Sequence, residues 1–154
     1  FVAEITEQDL DDIFPVIALL EGRAAHEATR KAGAADIAAL EVLHQRLQQF
    51  AAEGRIADYY EANYAIHEAF ITLADNRWLA QVIGDRRKIL RLARAQTLHV
   101  PGRLQQSLAE HLAVFAALKL RDCDTAEQTM RDHLLRQRDA LRDVARNQQS
   151  RLTP

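Results

Sequence analysis

The sequence predicts an all-α fold, an antiparallel bundle of about six helices, and three observations carry that expectation. Apolar residues recur at spacings of three and four through most of the chain, the repeat of one helix face. The five glycines and three prolines fall mostly between those periodic segments, where helices should break. No stretch alternates apolar and polar residues for long enough to make a strand. At 154 residues, with 48% apolar and 27% charged side chains, the chain suits one compact core and not a disordered segment.

Thr6-Glu7-Gln8-Asp9 opens the first helix. The Thr6 hydroxyl is placed to accept from a first-turn amide, and the acids sit at the positive end of the helix dipole. Leu10, Ile13, Ile17, Leu20 and Ala24 then form its inward face, with Pro15 expected to bend it and Gly33 to end it. The second helix runs from about Asp36 to Ala52, with Ile37, Leu40, Leu43, Leu47 and Phe50 inward and Gly54 behind it. The third covers about Arg55 to Ala74 and sets Tyr60, Asn63, His67, Phe70, Ile71 and Ala74 along one stripe. Asp75-Asn76 forms a turn able to cap the fourth, about Arg77 to Leu98, before Pro101-Gly102 breaks the chain again. The fifth, about Leu104 to Leu120, buries Leu104, Leu108, Leu112, Phe115 and Leu118. Asp122 or Asp124 caps the sixth, which buries Ala126, Met130, Leu134, Leu141 and Val144 before a charged tail frays. Short connections make neighbouring helices antiparallel.

With 20 basic and 22 acidic side chains the formal charge is -2, so the chain has no overall attraction for a phosphate backbone. Nucleic acid, if involved, is bound elsewhere. The single cysteine, Cys123, excludes an internal disulfide and a cysteine-based zinc ribbon, and it suits a reducing cytoplasm. No apolar run approaches the roughly 18 to 20 residues of a membrane span, and no basic flank precedes an apolar stretch as in a signal peptide. The expectation is a soluble, cytoplasmic protein without a membrane partner.

Several polar residues fall on faces that should be buried. If the last hairpin turns at Asp122, His111 lies 11 residues before the turn and His133 11 after it. At about 1.5 Å rise per residue each is roughly 16 Å from the turn, which brings the two imidazoles level on antiparallel helices. Both are inward by pattern, and the third helix adds Asn63 and His67 at i and i+4 on one face. Three imidazoles and an amide oxygen make a plausible first shell for a divalent transition ion, zinc or nickel foremost, with iron and manganese also compatible. The plain alternative is that each is a hydrogen-bonded core residue, the commoner fate of a lone histidine on an apolar face. His26, His44 and His99 have no partner at useful spacing and are expected to be solvated or locally bonded. Among the basic residues of the fourth helix, Arg87, Arg91 or Arg94 could turn inward and hold a carboxylate in a bidentate fork; otherwise they form a solvated face.

Taken in order, Asn63-Tyr64-Ala65-Ile66-His67, the turn Ala74-Asp75-Asn76-Arg77-Trp78-Leu79, the pair Glu110-His111, and Arg121-Asp122 followed by Ala126, Met130, His133 and Leu134 resemble the FCD domain. That is the C-terminal effector-binding domain of FadR-subfamily GntR transcription regulators, and the resemblance extends over nearly the whole chain. Phe1-Val2-Ala3 is similar to the last strand of the winged helix-turn-helix that precedes such domains, which leaves residues 4–154 as the effector-binding and dimerisation domain. The resemblance implies a metal held by Asn63, His67, His111 and His133, a small organic acid beside it, a homodimer, and DNA bound through the preceding domain. Two positions depart from the family pattern. Asn63 stands where Asp is usual, leaving the site one charge more positive, and Ile17 stands where many members carry an arginine.

The expected function is thus ligand sensing without catalysis. The runner-up is a metal-dependent hydrolase in which Glu68 or Glu110 acts as base. Residues next in sequence to an inward ligand point about 100 degrees away from it, which disfavours that role. A third reading is a structural bundle whose histidines satisfy one another through water.

Overall fold

The computed structural model describes residues 5–152, without the side chains of residues 86–89, 92, 93 and 152. The Phe1-Val2-Ala3 segment lies outside the described residues. Six helices are present among them: α1 (Glu7–Lys31), α2 (Ala34–Ala52), α3 (Ile56–Leu73), α4 (Arg77–Thr97), α5 (Arg103–Lys119) and α6 (Cys123–Leu152).

The ends of these helices follow from local chemistry. Asp9 N–H donates to Thr6 Oγ1 at 3.1 Å while Thr6 N–H donates to Asp9 Oδ2 at 2.8 Å, a reciprocal cap that satisfies two otherwise orphan amides. Asn76 Oδ1 accepts from Trp78 and Leu79, and Asp122 accepts from Thr125, so both polar caps lie where the turn pairs place them. Gly33 neither ends α1 nor sits beyond it as a C-cap: Ala32 is the C-cap, and Gly33 is the N-cap of α2, its N–H donating to Asp36 Oδ2. α1 continues as helix through Pro15. α6 does not fray after Val144 but stays helical to Leu152. Gly102 opens α5 at φ 80, a left-handed conformation that other residues adopt at a cost.

α1 and α6 share the largest helix–helix contact, and they run antiparallel: Glu7 pairs with Arg146, Asp11 with Arg142, and His26 with Glu127. They approach closely at Gly22, where an added Cβ would lie 2.6 Å from Arg131 Cγ and 3.2 Å from the Glu127 carbonyl oxygen. Around this pair, Phe14, Ile17, Leu40, Leu47, Tyr59, Ile66, Phe70, Leu118, Met130 and Leu134 form the fully buried core.

Two helices are rotated relative to the expected faces, and a third, α3, differs from its expected stripe only at Tyr60. In α5 the buried positions are Arg103, Leu104, Ser107, Glu110, His111, Val114, Phe115, Ala117 and Leu118, whereas Leu108 and Leu112 are only half-buried. In α1 Phe14 and Glu21 are buried while Ile13 and Leu20 are half-buried, and in α3 Tyr59 takes the core position ahead of Tyr60. The physical reason is common to all three: polar side chains that pair with one another can occupy the core face, and apolar counting sends them to the surface.

Candidate functional site

α3, α5 and α6 bring His67, His111 and His133 together in the centre of the bundle, each at most 2% exposed. The ring centroids of His111 and His133 stand 4.5 Å apart, and His67 lies 5.0 Å from the first and 5.4 Å from the second. Each ring offers a nitrogen within 4.8 Å of the other two. Asn63, one turn before His67 on the same face of α3, is also buried. Asn63 Oδ1, His111 Nε2 and His133 Nε2 are buried without a hydrogen-bond partner. Orphaned polar atoms of this kind in a core ask for an explanation, because each costs about 1–3 kcal/mol.

Two carboxylates approach these rings from behind. Glu21 of α1 places Oε2 2.5 Å from His67 Nδ1, and Glu110 of α5 is in hydrogen-bond contact with His133 Nδ1. Arg103 is buried and holds Glu110 through two bonds of 3.0 Å, with Arg136 at 3.4 Å from the rim. Burial pushes the Glu110 carboxyl up, but the His133 and Arg103 bonds outweigh it and hold the group at about 2. Burial pushes His133 below the ordinary imidazole value despite Glu110. It pushes His111 further down, with His133 and His67 adding to the effect. An ionised carboxylate only accepts, so His133 Nδ1 carries the proton and a neutral ring keeps its lone pair on Nε2.

Donors of this type fit a divalent transition ion. An ion about 2.0–2.1 Å from each imidazole nitrogen sets those nitrogens roughly 3–4 Å apart, a contraction of about an ångström from the widest spacing that 4.8 Å allows. Neutral imidazole and amide donors suit zinc, nickel or iron better than magnesium or calcium.

The three candidate arginines diverge. Arg94 is turned into the bundle, its Nε donating to Gln137 at 2.7 Å and a terminal nitrogen 3.7 Å from Glu21 Oε1. Arg91 is exposed; it reaches Glu61 at 3.2 Å and lies over the Tyr64 ring. The Arg87 side chain lies outside the described residues. A cavity of about 10 Å³ is lined by Tyr60, Asn63, Tyr64, His67, Arg91 and Arg94, the size of a single water-sized sphere. A wider open groove of about 350 Å³ runs between the α4–α5 turn and the end of α6, and it shares no residue with the histidine cluster.

The histidines expected to stand apart behave differently from one another. His99 is exposed. His44 is buried, bonded to the Leu40 carbonyl at 2.7 Å and stacked on Phe115, and burial lowers its basicity. His26 has a partner after all, Glu127 of α6 at 3.0 Å. Periodicity alone did not pick out Glu21, Arg103 and Gln137. For Glu21 and Gln137 the signal was present: Glu21 falls four after Ile17 and three before Ala24, and Gln137 four after His133, both on buried faces.

The fold has solved counterparts. Escherichia coli McbR/YncC superposes with a TM-score of 0.83 at 20% identity, over 91% of this chain and 71% of that one. A structure described as "Lar controls the expression of the Listeria monocytogenes agr system and mediates virulence" gives 0.72 at 10% identity, over 90% of this chain and 66% of that one. At such identities the likeness concerns the fold alone. No curated protein sequence matches. The family model of the FCD domain matches residues 12–136, and the chain therefore belongs to the FCD family, the effector-binding regulatory domains of GntR-type transcription regulators.

Proposed function

We propose that this domain senses a small organic acid through a divalent metal ion held by Asn63, His67, His111 and His133. The observation that carries the reading is that His67, His111 and His133 each offer a ring nitrogen within 4.8 Å of the other two, while Asn63 Oδ1, His111 Nε2 and His133 Nε2 are buried without a hydrogen-bond partner. A core that left these atoms unpaired with no ligand to receive them would forfeit several kcal/mol by the ordinary cost of buried orphans, about 1–3 kcal/mol each. The ion, zinc or nickel foremost, would act as a Lewis acid with positions open to a carboxylate oxygen. Arg94 is the arginine best placed to meet the other end of that anion. Arg91 also lines the cavity, and Arg87 is proposed for the same role. At about 10 Å³ the cavity suits an ion or a water, so an organic acid must part Tyr60, Tyr64 and Arg91 to enter.

In this reading the domain reports and does not transform its ligand. Glu110, one of the two acids a hydrolase could use as base, is committed to His133 and Arg103. The domain works as a homodimer in the cytoplasm. Val16 and Leu19 of α1 and Trp78 and Val82 of α4 are exposed on two helices that meet through Leu20, Leu79 and Ile83, an apolar surface suited to a second copy. DNA is bound by a winged helix-turn-helix preceding residue 4, to which Phe1-Val2-Ala3 would belong.

Elemental analysis of the dialysed domain tests the metal. About one transition ion per chain is expected, lost in His111→Ala and in His133→Ala. A metal-free protein that takes up no zinc, nickel, iron or manganese on titration would end the reading. Thermal shift with citrate and other small acids, in the metal-loaded and metal-free domain, then tests the effector.

A further inference from the structure

Each of two buried histidines in the cluster is backed by a carboxylate, and each carboxylate is backed by an arginine. On one side Arg103 grips Glu110 with two bonds of 3.0 Å, and Glu110 touches His133 Nδ1. On the other, Arg94 lies 3.7 Å from Glu21 Oε1, while Glu21 Oε2 is 2.5 Å from His67 Nδ1. All six residues are at most 5% exposed, so each contact is made away from water. His111 is not backed by a carboxylate among the contacts of the described residues.

We infer that Glu21 and Glu110 are positioning residues for the metal centre, each holding the Nδ1–H of its histidine so that Nε2 presents its lone pair to the ion. This rests on the metal reading above. In water the Nε2–H tautomer of a neutral imidazole is the usual one, and it would point a proton at the site. A carboxylate at Nδ1 reverses that choice, fixes the ring orientation, and makes Nε2 a stronger donor. Through Glu21, one side chain of α1 joins His67 on α3 to Arg94 on α4. The arrangement explains why two acids and two arginines are buried beside imidazoles in a small domain, where burial of unneeded ion pairs rarely adds stability.

Two measurements on the full chain test this. In the metal-free protein, nitrogen-15 spectra of the imidazoles should show His67 and His133 protonated at Nδ1; an Nε2–H signal for both would overturn the inference. Zinc affinity, from competition with a chromophoric chelator, should fall about 10–100-fold in Glu21→Gln and in Glu110→Gln. Circular dichroism identifies any variant that fails to fold, and the wild-type tautomers decide the matter without a variant. Wild-type zinc binding with unchanged affinity in both folded variants would refute the positioning role and leave the metal reading intact. Absence of zinc binding in the wild type would remove both.

Discussion

The Arg103–Glu110 pair gives the sharpest test of how this core tolerates charge. Both partners are buried, Arg103 at 4% exposure and Glu110 at 5%, and two parallel bonds of 3.0 Å join them. Replacing Arg103 by Met keeps the aliphatic stem but leaves Glu110 charged in the core. Breaking a buried pair from one side costs about 3–5 kcal/mol, because the remaining charge is uncompensated. Here Arg136 and His133 also reach Glu110, so the lower end applies, about 3 kcal/mol. Urea unfolding of the metal-free domain at pH 7 reads this directly, with metal excluded so that ligand binding does not enter the comparison. The double variant Arg103→Met, Glu110→Gln removes both charges together and should regain about 2 kcal/mol of that loss, since pairs in one network are not additive. A cost for Arg103→Met below about 1 kcal/mol, the value of an exposed ion pair, would show that water reaches the pair. Additive single effects would refute the relay from Arg103 through Glu110.

Three further outcomes follow from the same structure. Gly22→Ala should gain up to about 1 kcal/mol of helix propensity yet lose about 1–3 kcal/mol to overpacking against Arg131 and the Glu127 carbonyl, for a net destabilisation in urea; a more stable variant would show that α1 and α6 can part freely. Tyr59 is buried, which pushes its hydroxyl up to about 12, and it donates to Ser107 Oγ at 2.9 Å. The folded chain keeps a proton that the unfolded chain releases near pH 10, so this contribution is complete below about pH 10 and is lost as pH rises towards 12. Tyr59→Phe should therefore cost about 1 kcal/mol at neutral pH and unfold less steeply in alkali, and parallel alkaline profiles would contradict the assignment. Asn63→Asp should tighten zinc binding by about tenfold or more through an anionic ligand, about 1.4 kcal/mol in affinity, and weaken attraction for an anionic effector; unchanged zinc affinity would place residue 63 outside the ligand set.

Helix number, order and approximate limits were legible because caps and breakers are local. Thr6 with Asp9, Asn76 and Asp122 each act within three residues of themselves, so sequence neighbours suffice to identify them. The level placement of His111 and His133 was legible for a similar reason: a hairpin of two regular helices converts residue count into height. The rotation of α5 was not. Leu108 and Leu112 outscore Ser107 and Glu110 on any apolar scale, yet Ser107 meets Tyr59 and Glu110 meets Arg103 and His133, partners 48, 7 and 23 residues away. The same gap hid Glu21, whose burial depends on His67 and on Arg94 of another helix. Arg94 could be nominated from the basic run of α4, but choosing it over Arg91 required knowing that Gln137 and Glu21 stand opposite.

The charge pattern at the centre constrains how an effector could act. Arg94 and Arg103 offset Glu21 and Glu110, and the four proposed ligands are neutral, so a divalent ion would bring charge that no protein group at the centre balances. An anion completes that balance, and Asn63 in place of an aspartate makes its pull stronger. In the proposed reading its entry would displace side chains that line the cavity, because about 10 Å³ does not admit a carboxylate-bearing molecule. Tyr60 and Tyr64 belong to α3 and Arg91 to α4, so the separation falls between those two helices. Under the proposed reading Arg94 and Glu21 would carry the disturbance to α1 and Gln137 would carry it to α6, the pair with the largest contact in the domain. An effector shifts the position of α1 only by as much as it prefers the opened arrangement over the closed one. A ligand that filled the site without parting α3 from α4 would stabilise the domain and leave any attached reader where it was.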